Sequence, residues 1–118
     1  MRNNFNMAEN NITIVKGDTL SFGLDFEGLE GQDLDSAYLT CKEVPTSDSF
    51  IFKKTLGDGI EKQSAGKYTV RVAPEDTADA IAGLYWYDLR IGINGDVFTI
   101  LHGMMELLQN VSKEDESE

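Results

Sequence analysis

Two stretches of strict alternation constrain this chain more than anything else in it. Leu20, Phe22, Leu24 and Phe26 alternate with Ser21, Gly23 and Asp25, and Tyr85, Tyr87, Leu89, Ile91 and Ile93 alternate with Leu84, Trp86, Asp88 and Arg90. A strand sends successive side chains to opposite faces, so a period of two writes one buried and one wet face, which a helix cannot use. The second stretch runs into Asn94-Gly95, residues that tolerate the positive φ angles of a tight hairpin turn, and Val97 to Leu101 returns as its partner.

Shorter segments of the same kind fill the rest. Asn11 to Val15 reads as a first strand, and Lys16-Gly17-Asp18 as the turn after it. Ser36 to Glu43, Phe50 to Lys54, a short edge strand at Ile60 to Gln63, and Tyr68 to Val72 follow, each bounded by Gly, Pro, Asp or Ser. Pro74-Glu75-Asp76-Thr77 differs in character. Proline at a first helical position, with acids in the first turn, predicts a short helical turn that Gly83 ends. Ile100 to Gln109 is rich in helix-forming Leu, Met and Glu, but the hairpin favours strand as far as Gly103 and on through Leu107. Short strands at near-regular spacing predict an all-β fold, a sandwich or barrel of about seven to eight strands with one short helical turn. A chain of 13.1 kDa buries about two-thirds of its surface on folding, enough for one core without disulfides or metals. Residues 1–10 read as a flexible arm, 11–111 as the sandwich, and 112–118 as a disordered acidic tail.

Several function classes are excluded by what the chain lacks. Its net charge of −11, from 21 acidic and 10 basic residues, repels polyanions, and its longest basic run is Lys53-Lys54, so no nucleic-acid partner is expected. No stretch approaches the roughly 20 apolar residues of a membrane span, and the Asn-rich start is not a secretory signal. The expectation is synthesis in the cytoplasm and no membrane partner. Cys41 is the sole cysteine and sits in an alternating strand as a small core residue. His102 is the sole histidine, so one His and one Cys are the whole nitrogen and sulfur inventory for a metal site. No G-x-S-x-G elbow is present, the acids Glu27, Glu30, Asp33 and Asp35 do not follow the EF-hand pattern, and Gly57-Asp58-Gly59 is a hairpin turn rather than a phosphate loop. The residues therefore point to no catalytic, metal or cofactor site, and to a protein that is not an enzyme. Trp86 is the most distinctive feature. Alternation sets it, with Leu84, opposite the Tyr85-Tyr87 stripe, as an interface anchor, a sugar-stacking platform, or a side chain covered by its own loops. Phe5, in the Asn-rich arm, is a third candidate contact residue.

The order of these pieces resembles the small immunoglobulin-like β-sandwich domains of tailed-phage tail and baseplate proteins, among them the N-terminal domains of upper-baseplate proteins. The resemblance is carried by Ile14-Val15-Lys16-Gly17-Asp18-Thr19-Leu20-Ser21-Phe22, Ala37-Tyr38-Leu39-Thr40-Cys41-Lys42, and Phe52-Lys53-Lys54. It continues in Ala73-Pro74-Glu75-Asp76-Thr77, in Gly83-Leu84-Tyr85-Trp86-Tyr87-Asp88-Leu89 and in the final hairpin to Gly103, and so covers about Ile12 to Val111. What it implies is an immunoglobulin-like antiparallel β-sandwich and a non-enzymatic virion structural protein, a tail or baseplate adaptor or decoration component. Its expected partners are other phage structural proteins or further copies of itself, and its place is in the assembled particle. Many such proteins carry a long C-terminal region for trimerisation or receptor binding; here the sequence stops at Glu118, which favours the adaptor role. Two alternatives stand beside it: a carbohydrate- or ligand-binding module working through Trp86 and the tyrosines, and an acidic regulator that occupies a basic site on another protein.

Overall fold

The computed structural model describes residues 8–26 and 32–112. Among these residues nine strands and one helical turn run in the order β1 (Ala8–Glu9), β2 (Ile12–Val15), β3 (Leu20–Asp25), β4 (Ser36–Lys42), β5 (Phe52–Leu56), β6 (Gly59–Ser64), β7 (Lys67–Val72), α1 (Pro74–Thr77), β8 (Gly83–Ile93) and β9 (Asp96–Leu108). Hydrogen bonding links them as β1-β9-β8-β4-β5-β6-β7-β3, with β2 also on β9. The inward side chains of this ladder meet in one cluster. Ala37, Leu39, Cys41, Leu89, Ile91 and Met105 from one half, and Ile60, Val70 and Val72 from the other, have no exposed surface. One flat sheet could not hide its own face, so the ladder folds over on itself at the two-residue bridge between β5 and β6. The result is a sandwich of β9-β8-β4-β5 over β6-β7-β3, the strand order of an immunoglobulin-like domain.

The hairpin turn forms at Asn94 (φ 53°) and Gly95 (φ 83°), and β9 continues as strand to Leu108, so the helix-forming composition of its last residues is overridden by pairing with β8. A register shift between Leu89 and Arg90 leaves Ile100 as the extra residue of a bulge.

The antiparallel arrangement expected of the sandwich is modified in two places: the two-residue bridge between β5 and β6 is parallel, and on the N-terminal side β1 and β2 lie parallel to β9. Extended parallel pairing needs a long connection, and between β2 and β9 the connection is nearly the whole domain. Pairing also begins inside the segment read as an arm, since Ala8 and Glu9 pair with Leu101 and His102 and the Asn10 N–H donates to the His102 carbonyl at 2.9 Å. Gly103 lets this happen, because a Cβ there would lie 2.3 Å from the Asn10 carbonyl oxygen. The helical turn closes at Thr77, well before Gly83.

Two polar ties fix the crossover between layers. The Asp76 carboxylate accepts the Ala73 N–H at 2.7 Å and pairs with Lys54 at 2.8 Å. The buried Thr77 hydroxyl accepts the Gly17 N–H at 2.9 Å and so holds the β2–β3 turn against α1.

Candidate functional site

Alternation along β8 and its two neighbours assembles one outward face. Cross-strand register sets Lys42 beside Trp86 and Trp86 beside Met104, and in the next row Lys53, Thr40, Asp88 and His102. The row beyond holds Thr55, Tyr38, Arg90 and Thr99, and at the opposite end Leu84 stands beside Glu106. Trp86 is 44% exposed and Leu84 62%, so the indole is not covered by the described loops of its own chain. Phe5, the third expected contact, lies outside the described residues.

The face is anchored from beneath. Tyr85 and Tyr87 point inward beside Trp86, and each spends its hydroxyl on the backbone: Tyr85 donates to the Ile81 carbonyl, Tyr87 to the Asn10 carbonyl. The first is the tyrosine corner of immunoglobulin-like domains, a phenol near the start of the strand bonded back to the preceding corner. Burial raises both phenol pKa values above the ordinary range. With both flanking rings fixed, the strand presents Trp86 on a rigid base.

Thr40, Lys42, Pro45, Trp86, Asp88, Arg90 and His102 surround a shallow concavity of about 350 Å³. Its floor is mixed. Trp86 offers an apolar plane, Lys42 and Arg90 offer cations, and Asp88 and His102 stand in register as acceptor and donor. The Lys42 ammonium is held by the Ser47 carbonyl at 2.8 Å, and Lys53 sits 4.8 Å from the centre of the Tyr38 ring, a cation–π contact. Three of the chain's 10 basic residues thus gather on a face of a strongly acidic protein.

Cys41 lies on the other side of β4, fully buried, with its thiol pushed up to about 12 by burial. His102 faces outward, so the sheet itself separates the two residues and no thiol–imidazole pair forms. Among the described residues no group of three His, Cys, Asp or Glu side chains is placed to hold a metal ion, and no helix is long and apolar enough to cross a membrane. Asp33, one of the loop acids, pairs with Lys62.

Sequence reading found Trp86 and Leu84 but not their neighbours. Asp88 facing His102, and Lys53 over Tyr38, depend on which strands pair and in what register, and alternation is silent on both. The tyrosine corner had a signal in Gly83-x-Tyr85, a glycine-marked corner two residues before a tyrosine.

No protein-family model matches the sequence, and no curated protein matches it. One solved structure similar in outline is an extracellular domain of the voltage-gated sodium channel beta4 subunit, described as forming parallel homodimers with a role in cell–cell adhesion. It shares 11% identity over 94% of this chain and 99% of that one, with a TM-score of 0.44. The immunoglobulin-like assignment rests on the strand order and the tyrosine corner.

Proposed function

We propose that this protein is a non-enzymatic structural module of a tailed-phage particle, a tail or baseplate adaptor or decoration component that docks through the outer face of β4, β8 and β9. The observation that carries the docking part is the exposed pair Trp86 and Leu84, set on a strand whose inward tyrosines are both hydrogen-bonded. Exposed tryptophan on a rigid base has large contact area and little rotamer entropy to lose on binding, which is why such residues dominate interface energetics. The particle part is supported by the resemblance of residues 12–111 to tail and baseplate domains.

Both parts are testable. Mass spectrometry of purified particles induced from the source culture should find peptides of this chain at stoichiometric abundance; particles that form without it defeat the virion reading. Trp86→Ala should weaken incorporation by roughly 30-fold, the scale of a 2 kcal/mol hot spot, while thermal melting stays within the range of a surface substitution. A variant that melts normally and incorporates normally removes this face from the docking model.

The concavity beside Trp86 supports one second reading, a carbohydrate-binding module. An aromatic plane flanked by Asp88, Arg90 and His102 can stack on a sugar ring and bond its hydroxyls. Trp86 fluorescence titrated across a glycan panel decides it, and an unchanged spectrum throughout dismisses it.

A further inference from the structure

Strand β3 is the terminal strand of the smaller layer, and among the described residues it pairs only with β7. Its open side has a definite chemistry. The Phe26 N–H donates to the Gly66 carbonyl at 2.8 Å, and this pair continues the β3–β7 register. Peptide groups alternate direction along an antiparallel strand, so Leu20, Phe22 and Leu24 also turn theirs toward β7. Ser21, Gly23 and Asp25 therefore turn their N–H and C=O groups to the open edge. The inward side chains tell the same story. Leu20, Phe22 and Leu24 are only half-buried, whereas their β7 partners Val72, Val70 and Tyr68 are buried. The edge carries no proline, no lysine and no bulge, the usual devices that block strand addition.

We propose that β3 is a homotypic pairing edge, taking β3 of a second copy of this chain antiparallel across a two-fold axis at Gly23. The assignment to a second copy comes from self-complementarity. Only the odd-numbered residues can exchange edge hydrogen bonds, and the register that uses all three sets Gly23 opposite Gly23 and Ser21 opposite Asp25. That same register sets Phe22 opposite Leu24, so both half-buried pairs complete each other's cover. On the outer face Ser21 lies beside Arg71, and Asp25 beside Lys67. The joined sheet then reads Arg71, Ser21, Asp25 of the second copy, Lys67 of the second copy. The Arg71 guanidinium reaches over the small serine to the incoming carboxylate, and no like charges face each other across the axis. Glycine at the axis leaves the two backbones unobstructed.

Six residues of edge make a small interface, at the weak end of the range for specific association. The test therefore uses the full chain from about 10 μM to 1 mM at roughly 0.15 M salt, which screens the mutual repulsion of two acidic domains. Sedimentation velocity should show a monomer–dimer equilibrium. Amide hydrogen exchange should slow at Ser21, Gly23 and Asp25 by several-fold, up to a ceiling of about tenfold, as concentration rises, a shift set by the dimer population, while Leu20, Phe22 and Leu24 stay protected throughout. Gly23→Pro removes an edge N–H that the fold does not use, and proline is tolerated on such an edge. Gly23→Lys sets two ammonium groups opposite each other in a site where the nearest atom to a Cβ is 3.9 Å away. Both variants should melt like the parent and remain monomeric. Asp25→Arg should weaken the dimer, and Asp25→Arg with Arg71→Asp should restore it. A parent that is monomeric at 1 mM, edge amides indifferent to concentration, or a dimer that survives both Gly23 variants would each overturn the assignment. Trp86→Ala should leave this dimer intact, which separates its failure from that of the docking face.

Discussion

Tyr85 and Tyr87 show how much a single polar atom can organise. Each ring fills core volume, and each hydroxyl ties β8 to backbone outside it: the adjoining corner at Ile81 for Tyr85, the distant strand junction at Asn10 for Tyr87. Tyr85→Phe keeps the ring and deletes the bond. Ile81 is exposed, so water can take over its carbonyl, and the expected loss is about 1 kcal/mol in urea denaturation. Cys41 makes a different prediction. Its thiol ionises near 9.0 when free and near 12 in the fold. The unfolded chain therefore releases this proton first as pH rises, and the stability contributed below pH 9.0 is lost progressively toward pH 12. The two buried phenols, raised in the same direction, add to the alkaline loss. Denaturation midpoints measured from neutral pH upward should fall through this window, and Cys41→Ala should flatten the early part of the fall. At this scale the sequence was informative about burial, because alternation assigned Cys41, Tyr85 and Tyr87 to the inner face. It was silent on the partner of Tyr87, since Asn10 lies 77 positions away.

At the scale of elements, α1 is a single turn that no isolated peptide would hold, since nucleating a helix costs more than one turn returns. It persists because its polar groups are employed elsewhere. Asp76 caps Ala73 and pairs with Lys54 of β5, and Thr77 receives the β2–β3 turn through Gly17. Asp76→Ala removes the cap and leaves Lys54, itself mostly covered, without its carboxylate; a cost of about 1–3 kcal/mol is expected, measured by urea denaturation. Proline and the two acids announced the turn locally. The tie from Thr77 to Gly17 spans 60 positions, and nothing in the local pattern marks it.

For the molecule as a whole, eight of the nine described strands, all but the two-residue β1, followed from alternation and turn residues, but their neighbours did not. The parallel seating of β1 and β2 on β9 is invisible to a pattern that reads only inside and outside. That seating makes the early residues structural. Deleting through Asn10 removes the pairing at Leu101 and His102 and takes the carbonyl from Tyr87. The melting temperature should fall, at roughly 4–5 °C for each kcal/mol lost, and deletion through Val15 should lower it further because buried Ile14 and the pairing with Met105 to Leu108 go as well. Equal melting of both truncations and the full chain would show that this strand adds nothing.

The same seating has a mechanical meaning. Among the described residues the first strands are β1 and β2 and the last is β9, and these strands run side by side in the same direction. Tension between the two ends pulls them past each other lengthwise. The hydrogen bonds from Ile12 to Val15 against Met105 to Leu108 are then loaded together in shear, instead of being peeled open one at a time. A link built this way yields abruptly at a high load, which suits a part that must stay folded while whatever holds its ends is under strain.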